Sequence, residues 1–184
     1  MNAFVEETKV KGLKFSVNDL SLRLGISKKT IYEHFDSKSE ILDNIIDITI
    51  EQMQLQYNQI KNDTTLTSVE KISHFLKVVP KYYQFIDFNV LNQMKQKHPE
   101  QWIKMDDFLK EDENNIRELI EQAIKEETIV NKNVSLIMKT VIYTIESILD
   151  KDFYLKNRIT VYEALNEVVD ILLYGLVVRE KKNS

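Results

Sequence analysis

Apolar positions recur at spacings of three and four along the whole chain, and no stretch keeps the strict alternation of a half-buried strand. Over residues 16–42 this pattern comes in short pieces. Val17, Leu20 and Leu24 share one helical face, and Ile31 and Phe35 share another, so two short helices are predicted, each with a core side. Ser16 caps the first, with Asp19 placed to reach back in a capping box. Gly25 stands where a left-handed residue ends a helix. Ser27 caps the second helix, and Ser37 with Glu40 opens a third by the same box. Two short helices joined by a tight Gly turn form the unit that lays its second helix in the DNA major groove.

Beyond this head the stripes lengthen. A helix is predicted from Ser37 to Lys61 on Ile41, Leu42, Ile45, Ile46, Ile48, Thr49, Met53, Leu55 and Tyr57. Residues 62–65 break it, and Thr67 or Ser68 caps the next. That helix carries Val69, Ile72, Phe75, Leu76, Val79, Tyr83 and Ile86, and Pro80 within the run is expected to kink or interrupt it. A kinked helix leaves a gap against its neighbours, the kind of place where small molecules bind. A short segment from Asn89 to Gln96 precedes His98-Pro99. A long helix follows from Pro99 to Glu126, with Trp102, Met105, Phe108, Leu109, Ile116, Leu119, Ile120 and Ile124 on one side. Residues 131–133 read as a loop.

The last two segments differ in character. Ten of the 16 residues from Val134 to Leu149 are apolar, as are 13 of the 18 from Val161 to Val178, more than one buried stripe requires. Pairing with their copies in an intermolecular four-helix bundle would cover them, the alternative being a monomer core wrapped by the other helices. The expected dimer interface comprises Val134, Val141, Ile145, Ile148, Leu165, Val168, Leu172 and Leu176.

Composition narrows the fold. Three Gly and two Pro in 184 residues are too few for the turns of a β or α/β architecture, which leaves an all-α chain. Without Cys there are no disulfides, thiolate metal sites or Cys nucleophile. No signal segment opens the chain, and the longest apolar run, Ile171 to Val178, falls short of the roughly 20 residues of a membrane span. A cytoplasmic protein with no membrane partner is expected. Residues 1–38 hold seven Lys/Arg against five acids, a net of +2; with −4 for the whole chain, the remainder carries −6. A mildly basic head on an acidic body turns the head toward phosphate.

No catalytic constellation is visible. His34, His74 and His98 lack metal-ligand spacing, and Gly12, Gly25 and Gly175 are too scattered for a phosphate loop. The acids at 106–107, 111–113 and 126–127 look like solvated helix faces. Neither an enzyme nor a cofactor or metal is expected.

Residues 25–42, Gly-Ile-Ser-Lys-Lys-Thr-Ile-Tyr-Glu-His-Phe-Asp-Ser-Lys-Ser-Glu-Ile-Leu, resemble the recognition-helix signature of tetracycline-repressor-type (TetR) regulators, with every slot of the pattern filled. The resemblance spans roughly residues 12–45. It implies a helix-turn-helix DNA-binding domain over 1–45 and an effector-binding and dimerisation domain over 46–184. Lys29, Thr30 and Tyr32 are read as DNA contacts from their residue types on the second helix. By the family pattern Tyr32 and Lys38 would hold backbone phosphates. Lys28, Lys29 and His34 would set sequence preference, Ser16 would add a phosphate contact at the start of the first helix, and Ser27, the cap of the second, is counted among the DNA-binding residues. The family also implies dimerisation through the last two helices.

The effector set is drawn from nine aromatic or Met residues within 34 positions: Phe75, Tyr82, Tyr83, Phe85, Phe88, Met94, Trp102, Met105 and Phe108. From these, Phe75, Tyr83, Met94, Trp102, Met105 and Phe108, with Val79, are expected to line a pocket for a small apolar molecule. The expected function is a ligand-responsive regulator, most simply a repressor, that binds an inverted-repeat operator of double-stranded DNA as a homodimer. One departure supports an alternative, a helical dimer acting through protein partners. The first helix has only residues 1–11 available, with Phe4 and Val5 apolar, Thr8 at a usually large apolar position and no basic arm, so it is expected to be short and weakly anchored.

Overall fold

The computed structural model describes residues 1–82, 88–149 and 159–176. Among them every regular element is helical, in agreement with the all-α expectation. The elements are α1 (Asn2–Lys11), a 3-10 turn (Gly12–Lys14), α2 (Val17–Leu24), α3 (Lys28–Tyr32), α4 (Lys38–Asn62) and α5 (Ser68–Leu76). Then come α6 (Phe88–Lys97), α7 (Pro99–Lys125), α8 (Val134–Leu149) and α9 (Val161–Tyr174). No helix among the described residues is long and apolar enough to cross a membrane.

The chain divides into two compact units, residues 1–62 with 78–116, and residues 63–77 with the chain from 117 onward. The first unit is cored by Phe4, Leu13, Phe15, Leu20 and Ile31 from the head, by Ile41, Leu42, Ile45, Ile46 and Met53 of α4, and by Met94, Met105 and Phe108. In the second unit α9 packs against α5 and α8. Its buried side chains include Ile72, Phe75, Met138, Val141, Val161, Leu165 and Val169.

Three expectations are corrected. Of the kink and the interruption expected at Pro80 the chain shows the interruption, and earlier than expected: α5 ends at Leu76, the described residues 77–82 are not helical, and Val79 is not on the helix. A proline disfavours helical geometry at the residue before it, here Val79, which together with Val78 is also β-branched, so the helix stops early rather than bending. Residues 83–87, and with them Tyr83 and Phe85, lie outside the described residues, as does the side chain of Phe88.

Leu24, expected on the core side of α2, is half exposed at 49%, and Ser21 takes an inward place instead. The first helix is not weakly anchored. Phe4 and Val5 are buried, and the Phe4 ring meets Phe15 edge-on with centroids 4.7 Å apart. Thr8 is buried too, and its hydroxyl donates to the Phe4 carbonyl at 2.9 Å, which satisfies the polar atom a core position would otherwise strand.

Candidate nucleic-acid interface

The head is assembled by local signals. Ser16 accepts from the Asp19 amide while the Asp19 carboxylate accepts from the Ser16 amide, a complete capping box at the start of α2. At its end Gly25 adopts φ 65°, ψ 28°, the left-handed conformation, and the Ile26 amide donates back to the Ser21 carbonyl. Ser27 then caps α3 by accepting from the Thr30 amide at 3.1 Å. Ile31 is the buried anchor of α3.

Electrostatics tie α1 to α2. Glu7 is buried, and its carboxylate is bridged by Arg23 and, at 3.2 Å, by Lys11. Lys11 also reaches Asp19 at 2.8 Å. The Arg23 hydrogen bond, ahead of that from Lys11, holds the Glu7 carboxyl below its ordinary range. Lys11, and next Ser16, hold Asp19 well below its own. The second head helix is thus presented by a packed, charge-balanced support.

The predicted DNA residues fall into two groups. Lys28, Lys29 and Tyr32 of α3 and His34 in the turn after it are exposed, with Tyr32 at 49%. Ser16, Ser27 and Thr30 are engaged in caps, Ser27 and Thr30 also sharing a hydroxyl–hydroxyl bond of 3.0 Å.

Lys38 departs from its expected role. Its ammonium is half-buried and donates to the carbonyls of Leu13 at 2.7 Å and Phe15 at 2.6 Å, 4.1 Å above the Phe15 ring. Burial, and next the nearby Lys97 charge, push its pKa down to about 8. In this conformation Lys38 joins the start of α4 to the 3-10 turn instead of facing a phosphate.

α6 also reaches the head. Gln93 Oε1 accepts from the Leu13 amide at 2.7 Å. Gly12, at φ +59°, lies so close that a Cβ there would stand 2.5 Å from the Gln93 side chain. Sequence reading missed Gln93, because its partner lies 80 residues away.

The expected effector residues are divided between the units. Val79, Met94, Met105 and Phe108 are buried in the first unit, where Trp102 is half-buried under Lys95, and Phe75 is buried in the second. A further group was misjudged. Asp112, read as part of a solvated acidic face, lies on the inward stripe of α7 and accepts from the Tyr57 hydroxyl of α4 at 3.3 Å.

The expected interface residues divide as well. Val141, Ile148 and Leu165 are buried within their own unit, because α8 and α9 pack on each other, which corrects their assignment to a partner's surface. Val134, Ile145, Val168 and Leu172 are half-buried and Leu176 is 80% exposed, beside exposed Leu136, Tyr143, Tyr162, Ile171 and Tyr174.

Comparison with known proteins agrees with this geometry. Residues 5–45 match the model of bacterial regulatory proteins, tetR family. The HTH-type transcriptional regulator YvaF of Bacillus subtilis is 28% identical over 176 residues, 96% of this chain and 93% of that protein. The TetR family regulator PfmR of Thermus thermophilus superposes with a TM-score of 0.77 at 23% identity, over 95% of this chain and 96% of its own. FadR of Bacillus subtilis, solved in complex with stearoyl-CoA, gives 0.63 at 20% identity over 96% and 97%. The ketosteroid regulator KstR2 of Mycobacterium tuberculosis gives 0.68 at 16% over 97% and 93%. At these identities the solved structures show a shared fold.

Proposed function

We propose that this chain, whose residues 5–45 match the tetR family model and which resembles an HTH-type regulator over nearly its whole length, is an effector-released repressor that binds an inverted-repeat operator as a homodimer. The observation that carries this is the head: α3 is capped at Ser27, anchored by Ile31 and leaves Lys28, Lys29 and Tyr32 free toward solvent. Lys28, Lys29 and His34 read bases or phosphates from the major groove, and the Tyr32 hydroxyl donates to a phosphate. Ser16, Ser27 and Thr30 set the pose of these helices at the duplex and add contacts there. The alternative through protein partners loses its motive, since α1 is packed into the head.

Dimerisation uses the outward apolar side chains of α8 and α9. A monomer that left Tyr143, Tyr162, Ile171, Tyr174 and Leu176 in water would expose an unusual concentration of apolar surface on two neighbouring helices. Two heads about 34–36 Å apart would then meet successive major grooves. The effector is a small, mainly apolar molecule held by Met94, Met105, Phe108 and Trp102, in keeping with the long acyl chain of the stearoyl-CoA bound to FadR. It acts by favouring a conformation with lower DNA affinity.

The test is a mobility-shift titration on the DNA upstream of the protein's own gene, with Lys29→Ala and Tyr32→Ala beside the parent. Both variants should weaken binding while helicity and mass stay unchanged, and affinity should fall steeply with salt. Unchanged shifts by both would remove α3 as the reader. Sedimentation of Leu172→Glu should show dissociation relative to a dimeric parent, and a monomeric parent would end the dimer reading.

A further inference from the structure

On α7 the inward stripe runs Met105, Phe108, Asp112, Ile116, the three apolar members buried and Asp112 half-buried, so a carboxyl occupies a place where the helical period calls for an apolar side chain. Facing it on α4 is the stripe Thr49, Met53, Tyr57, likewise buried. The two stripes meet in the bond from the Tyr57 hydroxyl to Asp112 Oδ2. The other oxygen, Oδ1, is buried and has no hydrogen-bond partner among the described residues, and no Lys or Arg pairs with the carboxylate among them. An orphaned buried acceptor costs stability, and an orphaned buried charge costs more. A leucine or methionine at 112 would continue the stripe without that cost. Departures of this kind, where a local rule is broken and only partly compensated, are expected at functional sites.

We propose that Asp112, supported by Tyr57, is the polar end of the effector site and takes a protonated amine or comparable cationic nitrogen on an otherwise apolar ligand. The inference rests on the effector-release reading above and narrows its ligand class. Met105 and Phe108, about two turns and one turn before Asp112 on the same stripe, supply apolar surface for the ligand's hydrocarbon part. A cation supplies what the site lacks, a donor for Oδ1 and a countercharge. An anionic head would instead meet Asp112 with Glu111 and Glu113 on either side of it in the chain. The ligand therefore differs in charge from the stearoyl-CoA of FadR.

The titration behaviour agrees. Burial pushes the Asp112 carboxyl up to about 7, against the opposing Tyr57 hydrogen bond, and Glu113 and Glu111 push it the same way as burial. The groups acting on it are thus Tyr57 from α4 and these two acids of α7. A bound ammonium favours the ionised carboxylate, so amine affinity should rise as pH rises through about 7.

The experiment is thermal denaturation of the full chain with octylamine, octanol or octanoate, at pH 5.5 and pH 8. Expected is tighter apparent binding of octylamine than of octanol at pH 8, by about tenfold, the worth of one charge-assisted hydrogen bond. That preference should shrink at pH 5.5 and vanish in Asp112→Asn. The pH comparison within the parent stands whether or not the variant folds. Equal binding of amine and alcohol, or a preference that survives Asp112→Asn in a folded variant, overturns the assignment of Asp112. If octanol stabilises the parent and Phe108→Trp abolishes that effect while no amine preference exists, this inference fails and the effector site stands. If none of the three probes binds, both fall.

Discussion

Glu7 in the head and Asp112 on α7 are both carboxyls set among apolar side chains, and their surroundings treat them in opposite ways. Glu7 lies on the inward face of α1 with Phe4, Val5 and Thr8, and receives Arg23 from α2 and Lys11 from its own helix. Its carboxyl is held low, chiefly by Arg23. Asp112 receives one phenol hydroxyl, and burial pushes it up to about 7. The difference separates two uses of a buried acid. Where the fold provides the countercharge, the acid joins elements together; where it provides one hydroxyl, an acceptor oxygen is left over, the one proposed above to bind a ligand.

The comparison breaks at once if the head is not a packed body, and Phe4 tests that with the largest effect. It is 1% exposed, with its ring edge-on to Phe15. Phe4→Ala should cost about 3–5 kcal/mol in urea unfolding, as truncation of a buried aromatic usually does. A loss under about 1 kcal/mol would mean that α1 is not anchored as described.

Arg23→Met comes next and removes the chief partner of Glu7. Because the folded pKa of Glu7 lies below its unfolded value, its contribution to stability is present above the unfolded pKa and lost as pH falls through the folded one. The variant should therefore be markedly less stable than the parent at pH 7, and the gap should close in acid. A pH-independent gap would mean that Arg23 acts by packing its stem alone.

Asp112→Asn should do the reverse. The folded pKa of about 7 lies above the unfolded value of about 3.9, so the folded state holds the proton more tightly and the parent loses stability as pH rises between them. Without that ionisation the variant should gain about 1–3 kcal/mol over the parent at pH 8 and little near pH 4.5. A variant less stable than the parent at pH 8 would place Asp112 with Glu7 as a structural acid and dissolve the contrast.

What was legible in the sequence follows the range of each interaction. The capping boxes at Ser16 and Thr67 and the left-handed Gly25 operate within three or four residues, so residue identities announced them. The inward turn of Lys38 depends on carbonyls 23 and 25 residues back, and the Gln93 contact on an amide 80 residues away, neither of which leaves a periodic trace. Pro80 left a kink and an interruption both open, because a proline bends helices and also disfavours them one residue earlier, and Val78-Val79 tipped the balance to termination. Asp112 carried a visible signal, its register with Met105, Phe108 and Ile116. Adjacent Glu111 and Glu113 disguised it as part of a solvated acidic face.

The smallest effect concerns Ser16, which has two readings that stability and DNA binding can separate. Its oxygen accepts from the Asp19 amide at 3.3 Å and its hydroxyl donates to the Asp19 carboxylate at 2.6 Å, so within the chain it is a cap. Replacing a Ser cap by Ala costs about 1 kcal/mol, and by Gly only a few tenths, because Gly adopts the cap conformation freely and lets water reach the exposed amides. Ser16→Ala should lower the unfolding midpoint slightly, and Ser16→Gly should recover most of the loss. If the hydroxyl also holds a phosphate, both variants should lose the same several-fold DNA affinity although only one is destabilised. If affinity follows stability, with Gly near the parent and Ala below it, Ser16 serves the duplex only by holding α2 in place.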